Sequence, residues 1–155
     1  MDNVVRGFNW YFDAIDVGIA LDEVTLPNLK RETEKFTPAG GMLSIDMPAA
    51  MESLSAKIKT KNSDPRRRAL FGREPGQWIT CYGYERLTSL TDGSNLGRVI
   101  TMRGLLNEAS EEAKAGLKPK GANYTFGSIV MYHDMVDGRS INRFDFFHPS
   151  QTLVD

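Results

Sequence analysis

The chain has 155 residues, a length that predicts one domain, spanning residues 1–155, with a core of its own. Its 19 basic and 20 acidic residues nearly cancel, which argues against a protein that grips nucleic acid through a strongly basic domain. The sequence shows no signal-peptide pattern at its start and no run of about 20 apolar residues. We therefore expect a soluble protein that is made in a cytoplasm and does not bind membranes.

Strand patterns dominate the first 60 residues. Residues 8–13 are rich in aromatic side chains and predict a short first strand. Residues 29–36 alternate along the chain and are followed by the turn-forming sequence Pro38-Ala39-Gly40-Gly41, so they predict a strand with a strongly polar face. Residues 52–60 alternate cleanly and predict another strand. One of its faces consists of Leu54, Ala56, Ile58 and Thr60.

A short helix is predicted over residues 64–72. Asp64 can cap its N-terminus, Pro65 suits the first helical position, and Gly72 can end it. Strands then follow at residues 77–86 and 98–106, separated by a turn at residues 91–95, and residues 110–115 predict a turn or two of helix.

The last third of the sequence predicts a hairpin of two apolar strands, residues 124–135 and 139–147, joined through Asp137-Gly138. A half-buried antiparallel strand is normally apolar on one face, but both faces of these strands carry apolar side chains. Leaving several Phe side chains in water favours aggregation, so either a two-layer fold or another subunit should cover them. The residues expected in core or intersubunit contacts are Phe126, Ile129, Met131, Tyr132, Phe144, Phe146 and Phe147.

Motifs for catalysis and metal binding are sparse. The two histidines, His133 and His148, lack the spacing of zinc ligands, and Cys81 has no partner cysteine. His133 and Asp134 are adjacent on a predicted strand, so their side chains point to opposite faces and cannot act as a pair. The sequence contains no nucleophile elbow, no P-loop and no dinucleotide-binding glycine motif. We predict a protein that is not an enzyme and needs no cofactor or metal.

The strongest nucleic-acid signal is the basic run Arg66-Arg67-Arg68. Three consecutive residues of a helix point in three different directions, so these arginines form no single stripe. A solvated or intersubunit salt-bridging role is therefore favoured. A small nucleic-acid-binding module that uses Arg66–Arg68 is kept as an alternative.

Several weak motifs follow one another along almost the whole chain. They are residues 23–30, 34–42, 44–47, 50–52, 102–108, 114–116, 132, 136–139 and 144–145. In this order they resemble the major tail tube protein of contractile-tailed (myovirus) phages. The tube subunit of R-type tailocins belongs to the same group. Each motif is weak alone, and their shared order makes the resemblance specific.

The resemblance implies two packed antiparallel sheets, sandwich- or barrel-like, with one short flanking helix. Tube proteins of type VI secretion systems share this fold. Six subunits would form a ring whose inward strands make one barrel, and rings would stack into a hollow tube. The tube would cross the host envelope when the sheath contracts and would then conduct DNA. A tailocin or secretion-type tube without genome delivery is the alternative within this class.

The resemblance also implies partners and a location. Besides further copies of the chain, the partners are the tail sheath protein, the tape measure protein, the tail initiator or baseplate, and DNA in transit. The protein would belong to the virion tail and would be assembled in the bacterial host cytoplasm.

Residues 37–48 are predicted to bridge one ring to the next. Solvated loops rarely carry four large apolar residues in six positions, so a neighbour should cover them, unless they fold back on their own core. In the relatives the equivalent loop reaches the adjacent ring. The inter-ring candidates are Pro38, Gly40, Gly41, Met42, Leu43, Ile45 and Met47. The lumen candidates, on the polar faces of two predicted strands, are Glu32, Glu34, Lys57 and Lys59.

Overall fold

The computed structural model describes residues 3–13, 15–16, 21–61, 64–111, 121–148 and 153–154. Within these ranges the chain is mainly β, as predicted, with one short helix, α1 (Pro65–Arg68). The strands are β1 (Asn3–Phe12), β2 (Ile15–Asp16), β3 (Leu21–Thr25), β4 (Arg31–Phe36), β5 (Ile45–Met51), β6 (Ala56–Thr60), β7 (Ile79–Ser89), β8 (Asn95–Glu111), β9 (Ala122–Val136), β10 (Arg139–Asp145) and β11 (Leu153–Val154).

Nine of these strands form one antiparallel sheet. Its main order is β11-β10-β9-β8-β7-β1-β2, with β6 paired to β9 and β3 paired to β6. The remaining two strands, β4 and β5, pair only with each other among the described strands. The predicted layered, barrel-like β fold is confirmed, but the strand at residues 31–36 lies in a separate hairpin rather than in the body.

The long strands β8 and β9 bend, so that each contributes to two parts of the sheet. The end of β9 pairs with β10, whereas its beginning pairs with β6. The bend requires glycine, because a Cβ atom on Gly104 would lie 2.6 Å from the carbonyl oxygen of Gly127. Ser128, the next residue, has a φ of 48°. This irregularity lets the sheet fold over onto itself into a nearly closed barrel.

The core fills the space between the two parts of the folded sheet. Trp10 and Phe12 of β1 pack there with Phe126 of β9, and all three are at most 1% exposed. The ring centroids of Phe12 and Phe126 lie 6.4 Å apart. The predicted buried face of the sixth strand is confirmed, since Leu54, Ala56, Ile58 and Thr60 are all buried.

Some elements begin or end at other residues than the sequence predicted. The carboxylate of Asp64 accepts the Arg66 N–H at 2.9 Å, as a cap should, but regular helix ends at Arg68 and turns continue to Gly72. The expected helical turn from residue 110 is wrong over its described part, because Ser110 and Glu111 continue β8 by pairing with β9. Its remaining residues lie outside the described ranges.

The predicted turn between the last long strands is confirmed. Asp137 and Gly138 both have positive φ, 51° and 79°, as a two-residue hairpin turn of this type requires. By contrast, β5 was not expected, because Pro48 lacks an N–H for the sheet ladder. The strand tolerates Pro48 because its other side is unpaired among the described strands, which is where proline is found in sheets.

Candidate assembly surface

The hairpin of β4 and β5 lies outside the barrel core. Every residue of both strands is exposed, except Met51 at the base, which is half-buried. Directly opposed residues share a face, so the pairs Phe36–Ile45 and Glu34–Met47 lie on one side of the hairpin. The alternating pair, Lys35 and Asp46, lies on the other side. The hairpin is therefore amphipathic, with an apolar hairpin face formed by Phe36, Ile45 and Met47.

The turn that joins β4 to β5, here called the hairpin tip, presents two large apolar side chains to solvent. The Gly41 N–H donates to the carbonyl oxygen of Pro38 at 2.9 Å. The hydroxyls of Thr37 and Ser44 hydrogen-bond across the turn. On this braced loop Met42 is fully exposed and Leu43 is 74% exposed.

The seven inter-ring candidates of the sequence thus lie together on this hairpin, and all of them are exposed. The alternative that residues 37–48 fold back on their own core is wrong. The segment is also not a loop throughout, because Ile45 and Met47 belong to β5. Their contact with another ring stays a prediction.

The second predicted group divides between core and surface. Phe126 and Tyr132 are buried in the subunit's own core. Ile129 and Phe144 are half-buried and pack against that core, and Met131 is also half-buried. Phe146 and Phe147 were expected in the last strand, but β10 ends at Asp145 and leaves both exposed.

A groove of about 700 Å³ lies between the base of the hairpin and the β9–β10 part of the sheet. We call it the base groove. Its lining carries charges of both signs, including Arg31, Glu52 and Asp145. In the same lining, the ring of Phe144 stacks on that of Tyr132, with centroids 6.4 Å apart. The apolar lining includes Met51, Leu54, Ile129, Phe144 and Phe146.

The four lumen candidates do not form one surface. Glu32 and Glu34 lie on the hairpin, whereas Lys57 and Lys59 lie on β6 in the barrel. The two lysines line a cleft of about 380 Å³ together with Glu23 and Glu108. Lys59 Nζ also lies 4.0 Å from a carboxylate oxygen of Asp22. This face of the barrel is polar and balanced in charge.

The comparisons with known proteins agree with this architecture. The family model for phage tail tube protein FII matches residues 2–149. The chain belongs to the phage tail tube protein FII family. The resemblance to tail tube proteins is therefore confirmed. The family's role is structural rather than enzymatic.

Two solved structures show the same fold as this tail tube protein. One is a chain of the sheath–tube complex of an extracellular contractile injection system (PVC) in its extended state. It aligns with a TM-score of 0.61 and 9% identity, covering 83% of this chain and 88% of that one. The other belongs to the PVC sheath/tube terminator, with a TM-score of 0.54 and 11% identity, covering 86% and 93%. Among curated proteins, no sequence matches significantly.

The arginine run of the tail tube protein is engaged in ion pairs. Arg66 Nη2 lies 3.0 Å from Asp64 Oδ2, and Arg68 Nη1 lies 3.5 Å from Glu111 Oε1. Arg67 is buried and lies 3.8 Å from the same Asp64 oxygen. These ion pairs lie within one subunit rather than between subunits, and their carboxylates offset the positive charge that a nucleic-acid-binding module would need.

A charged cluster joins three strands of the barrel. Arg98 donates to both carboxylate oxygens of Asp134, at 3.0 and 2.7 Å, and to Glu85 at 3.2 Å. These hydrogen bonds, those to Asp134 first, raise the pKa of Arg98 above its usual value. His133 faces elsewhere, with Nε2 at 2.8 Å from the hydroxyl of Ser140, and burial lowers its pKa. Asp134 is thus a structural partner of Arg98 and does not pair with His133.

Neither a metal site nor a membrane-spanning helix is found in the described part of the chain. It contains no group of three or more His, Cys, Asp or Glu residues placed to hold a metal ion. It also contains no helix that is long and apolar enough to span a membrane.

Proposed function

We propose that this tail tube protein is the inner tube subunit of a contractile phage tail. Six copies form a ring, and rings stack into a hollow tube that crosses the host envelope when the sheath contracts and then conducts DNA. The observation that carries the proposal is the hairpin, which is folded but presents an apolar face and an apolar tip to solvent.

The energetics of the hairpin favour stacking. An isolated two-stranded hairpin is at best marginally stable in water, so the apolar hairpin face gains from a partner. Fully burying a Leu or Met side chain such as those of Leu43 and Met42 contributes roughly 1.5–3 kcal/mol. Each subunit would bring one such hairpin to every contact between rings. The seven inter-ring candidates on the hairpin are therefore proposed as the inter-ring contact.

Open sheet edges support a closed ring. Over residues 3–10, β1 pairs with β7 on one side and with no described strand on the other. Val4, Val5 and Phe8 on this edge strand are exposed apolar residues. An exposed apolar edge invites uncontrolled pairing, and a ring of copies would cover it.

The polar barrel face around Lys57 and Lys59 is proposed as part of the lumen. Because Glu23, Glu108 and Asp22 lie near these lysines, the face offers no unbalanced row of positive charge. Many phosphate contacts would hold DNA rather than let it slide, so a balanced wall suits transport.

The partners of such a tube follow from its place in a tail. The sheath protein would surround the tube, the tape measure protein would occupy it during assembly, and the initiator or baseplate would start it. The subunit would be assembled in the host cytoplasm and end in the virion tail.

A second candidate function is a tube that delivers no genome. It is favoured by one observation, namely that both solved relatives come from an extracellular contractile injection system. The two functions differ in their genes, because a phage also encodes a capsid. A capsid gene beside this one would decide for the phage tail, and a toxin cargo gene without a capsid would decide for the injection system.

Negative-stain electron microscopy of the purified protein tests the proposal. The wild-type chain should form rings that elongate into tubes. Replacing Met42 and Leu43 with Asp should leave folded rings that do not elongate, because the carboxylates cannot be buried without partners. Leu90→Asp is a matched control, since Leu90 is 71% exposed on the β7–β8 turn. A tip variant with tubes of normal length would contradict the inter-ring role.

A further inference from the structure

We infer that the base groove of one copy receives the hairpin tip of a second copy, with Met42 and Leu43 entering between Ile129, Phe144 and Phe146. The inference rests on the proposed function and adds to it the surface on which the tip lands. It concerns two features of the same chain, a projecting apolar tip and a groove that is lined in part by apolar side chains and lies open among the described residues.

The contact must join two copies, because the tip and the groove lie at opposite ends of one hairpin. The strand β4 spans six residues between them, or about 20 Å at the usual rise of an extended chain. Paired antiparallel strands cannot fold back over that length. The two legs of the hairpin are also held together at its base, since the Glu52 N–H donates to the carbonyl oxygen of Lys30 at 2.9 Å.

The chemistry of the groove suits this occupant. Met51, Ile129 and Phe144 pack against the buried core with one side and line the groove with the other. An entering Met or Leu side chain would therefore extend the core rather than form a separate contact. Methionine also adapts its shape to irregular spaces, and it occurs on both sides, as Met42 in the tip and Met51 in the groove.

The lining of the groove also carries charge. Arg31, Glu32, Glu52 and Asp145 line it together with the apolar residues, and Glu52 lies 4.0 Å from Lys30. The polar side of the hairpin carries Lys35 and Asp46, so both surfaces offer charges of both signs. Protein–protein contacts usually combine apolar and polar groups in this way.

A contact between two different surfaces leads to a stack of copies. A tip that enters a groove joins two different surfaces, so the contact is heterologous. A heterologous contact that does not close into a ring repeats without limit and makes an open assembly. Each copy would offer one tip to the ring on one side and one groove to the ring on the other.

Cysteine cross-linking tests the position of the tip. In Leu43→Cys/Phe146→Cys tubes, oxidation should give a ladder of disulfide-linked multimers, because every copy carries one donor and one acceptor. The native Cys81 should not interfere, since it is fully buried and burial raises the pKa of its thiol. Leu43→Cys/Leu90→Cys is the control and should give no ladder. Tubes without a ladder, or an equal ladder from the control, would overturn the inference.

A second variant tests the groove without disturbing the fold. Phe146 is 75% exposed, so Phe146→Ser should leave the free subunit as stable as wild type. Loss of one aromatic anchor should raise the concentration needed for tube growth about tenfold, the change that 1.4 kcal/mol produces. Leu90→Ser should leave that concentration unchanged.

The outcomes separate the inference from the proposed function. If the Met42/Leu43 double Asp variant stops elongation but Phe146→Ser does not, the tip bridges rings at another surface and the inference fails alone. If the double Asp variant elongates normally, the inter-ring role fails and the inference fails with it. Loss of elongation in both, with intact rings, supports both.

Discussion

The barrel and the hairpin are built by opposite uses of apolar residues. In the barrel, Trp10, Phe12 and Phe126 are excluded from water by their own chain. In the hairpin, Phe36 and Met42 are ordered by a two-stranded ladder and exposed. The barrel core is therefore closed within a single subunit, whereas we propose that the hairpin is stabilised by a neighbour. Substitutions in the two regions should separate folding from assembly.

The largest effect on folding is expected in the barrel core. Phe126→Ala removes a fully buried ring that packs near Phe12, and the cavity should cost about 3–5 kcal/mol of unfolding free energy. Urea unfolding followed by circular dichroism checks this value. A loss below 1 kcal/mol would mean that the core relaxes around the cavity and that the barrel is less closely packed than described.

The second-largest effect on stability is expected in the charged cluster of Arg98, Asp134 and Glu85. Asp134→Asn keeps the shape but leaves the half-buried Arg98 with only its more distant carboxylate partner, Glu85. Breaking a fully buried pair costs 3–5 kcal/mol, and because Arg98 is partly solvated we expect about 2–3 kcal/mol. The same unfolding experiment measures it. Glu85→Gln removes the longer contact, so it should lower the unfolding free energy less. A larger loss for Glu85→Gln than for Asp134→Asn would mean that Glu85 is the main partner of Arg98.

A substitution at the bend of the sheet should lower stability by a smaller amount, and the loss should depend on which glycine is replaced. Gly104→Ala forces a Cβ atom against the backbone oxygen of Gly127 and should cost about 1–3 kcal/mol. Gly97→Ala, on the same strand with nothing within 4 Å of its Cβ position, should change stability by less than about 0.5 kcal/mol. Equal melting temperatures for the two variants would show that the bend does not depend on glycine.

The smallest effect on folding should come from the hairpin. Phe36→Ser alters an exposed residue, so the free subunit should change by less than about 0.5 kcal/mol. Tube growth should nevertheless weaken, because the apolar hairpin face is reduced. Unfolding of dilute subunits and light scattering of concentrated ones measure the two quantities separately. A clear loss of stability in the dilute subunit would mean that the hairpin packs on its own barrel.

Patterns that depend on neighbours along the chain predicted the fold well. The alternation of Leu54, Ala56, Ile58 and Thr60 identified a buried face, and Asp137-Gly138 identified a hairpin turn, because both signals are local. The prediction that β8 ends near residue 106 was wrong. A strand that bends at Gly104 changes its inward face there, so its alternation is interrupted although its pairing continues.

The assembly surface was predicted only in part. Met42 and Leu43 stood out because four large apolar residues lie in a short polar segment. The base groove could not be found this way, because Met51 is far in sequence from Ile129 and Phe146. The β9–β10 pairing brings the latter two together, but only the tertiary fold places Met51 beside them. Likewise, the alternation of Glu32 and Glu34 showed a strand face but not that this face leaves the barrel.

A tip at one end of the hairpin and a groove at its base give the subunit a direction. If rings stack as proposed, the stack would be a polar filament whose two ends differ chemically. One end would display a layer of Met42 and Leu43 side chains, and the other a layer of base grooves. A protein that starts the filament and one that caps it would then need opposite surfaces, so neither could replace the other.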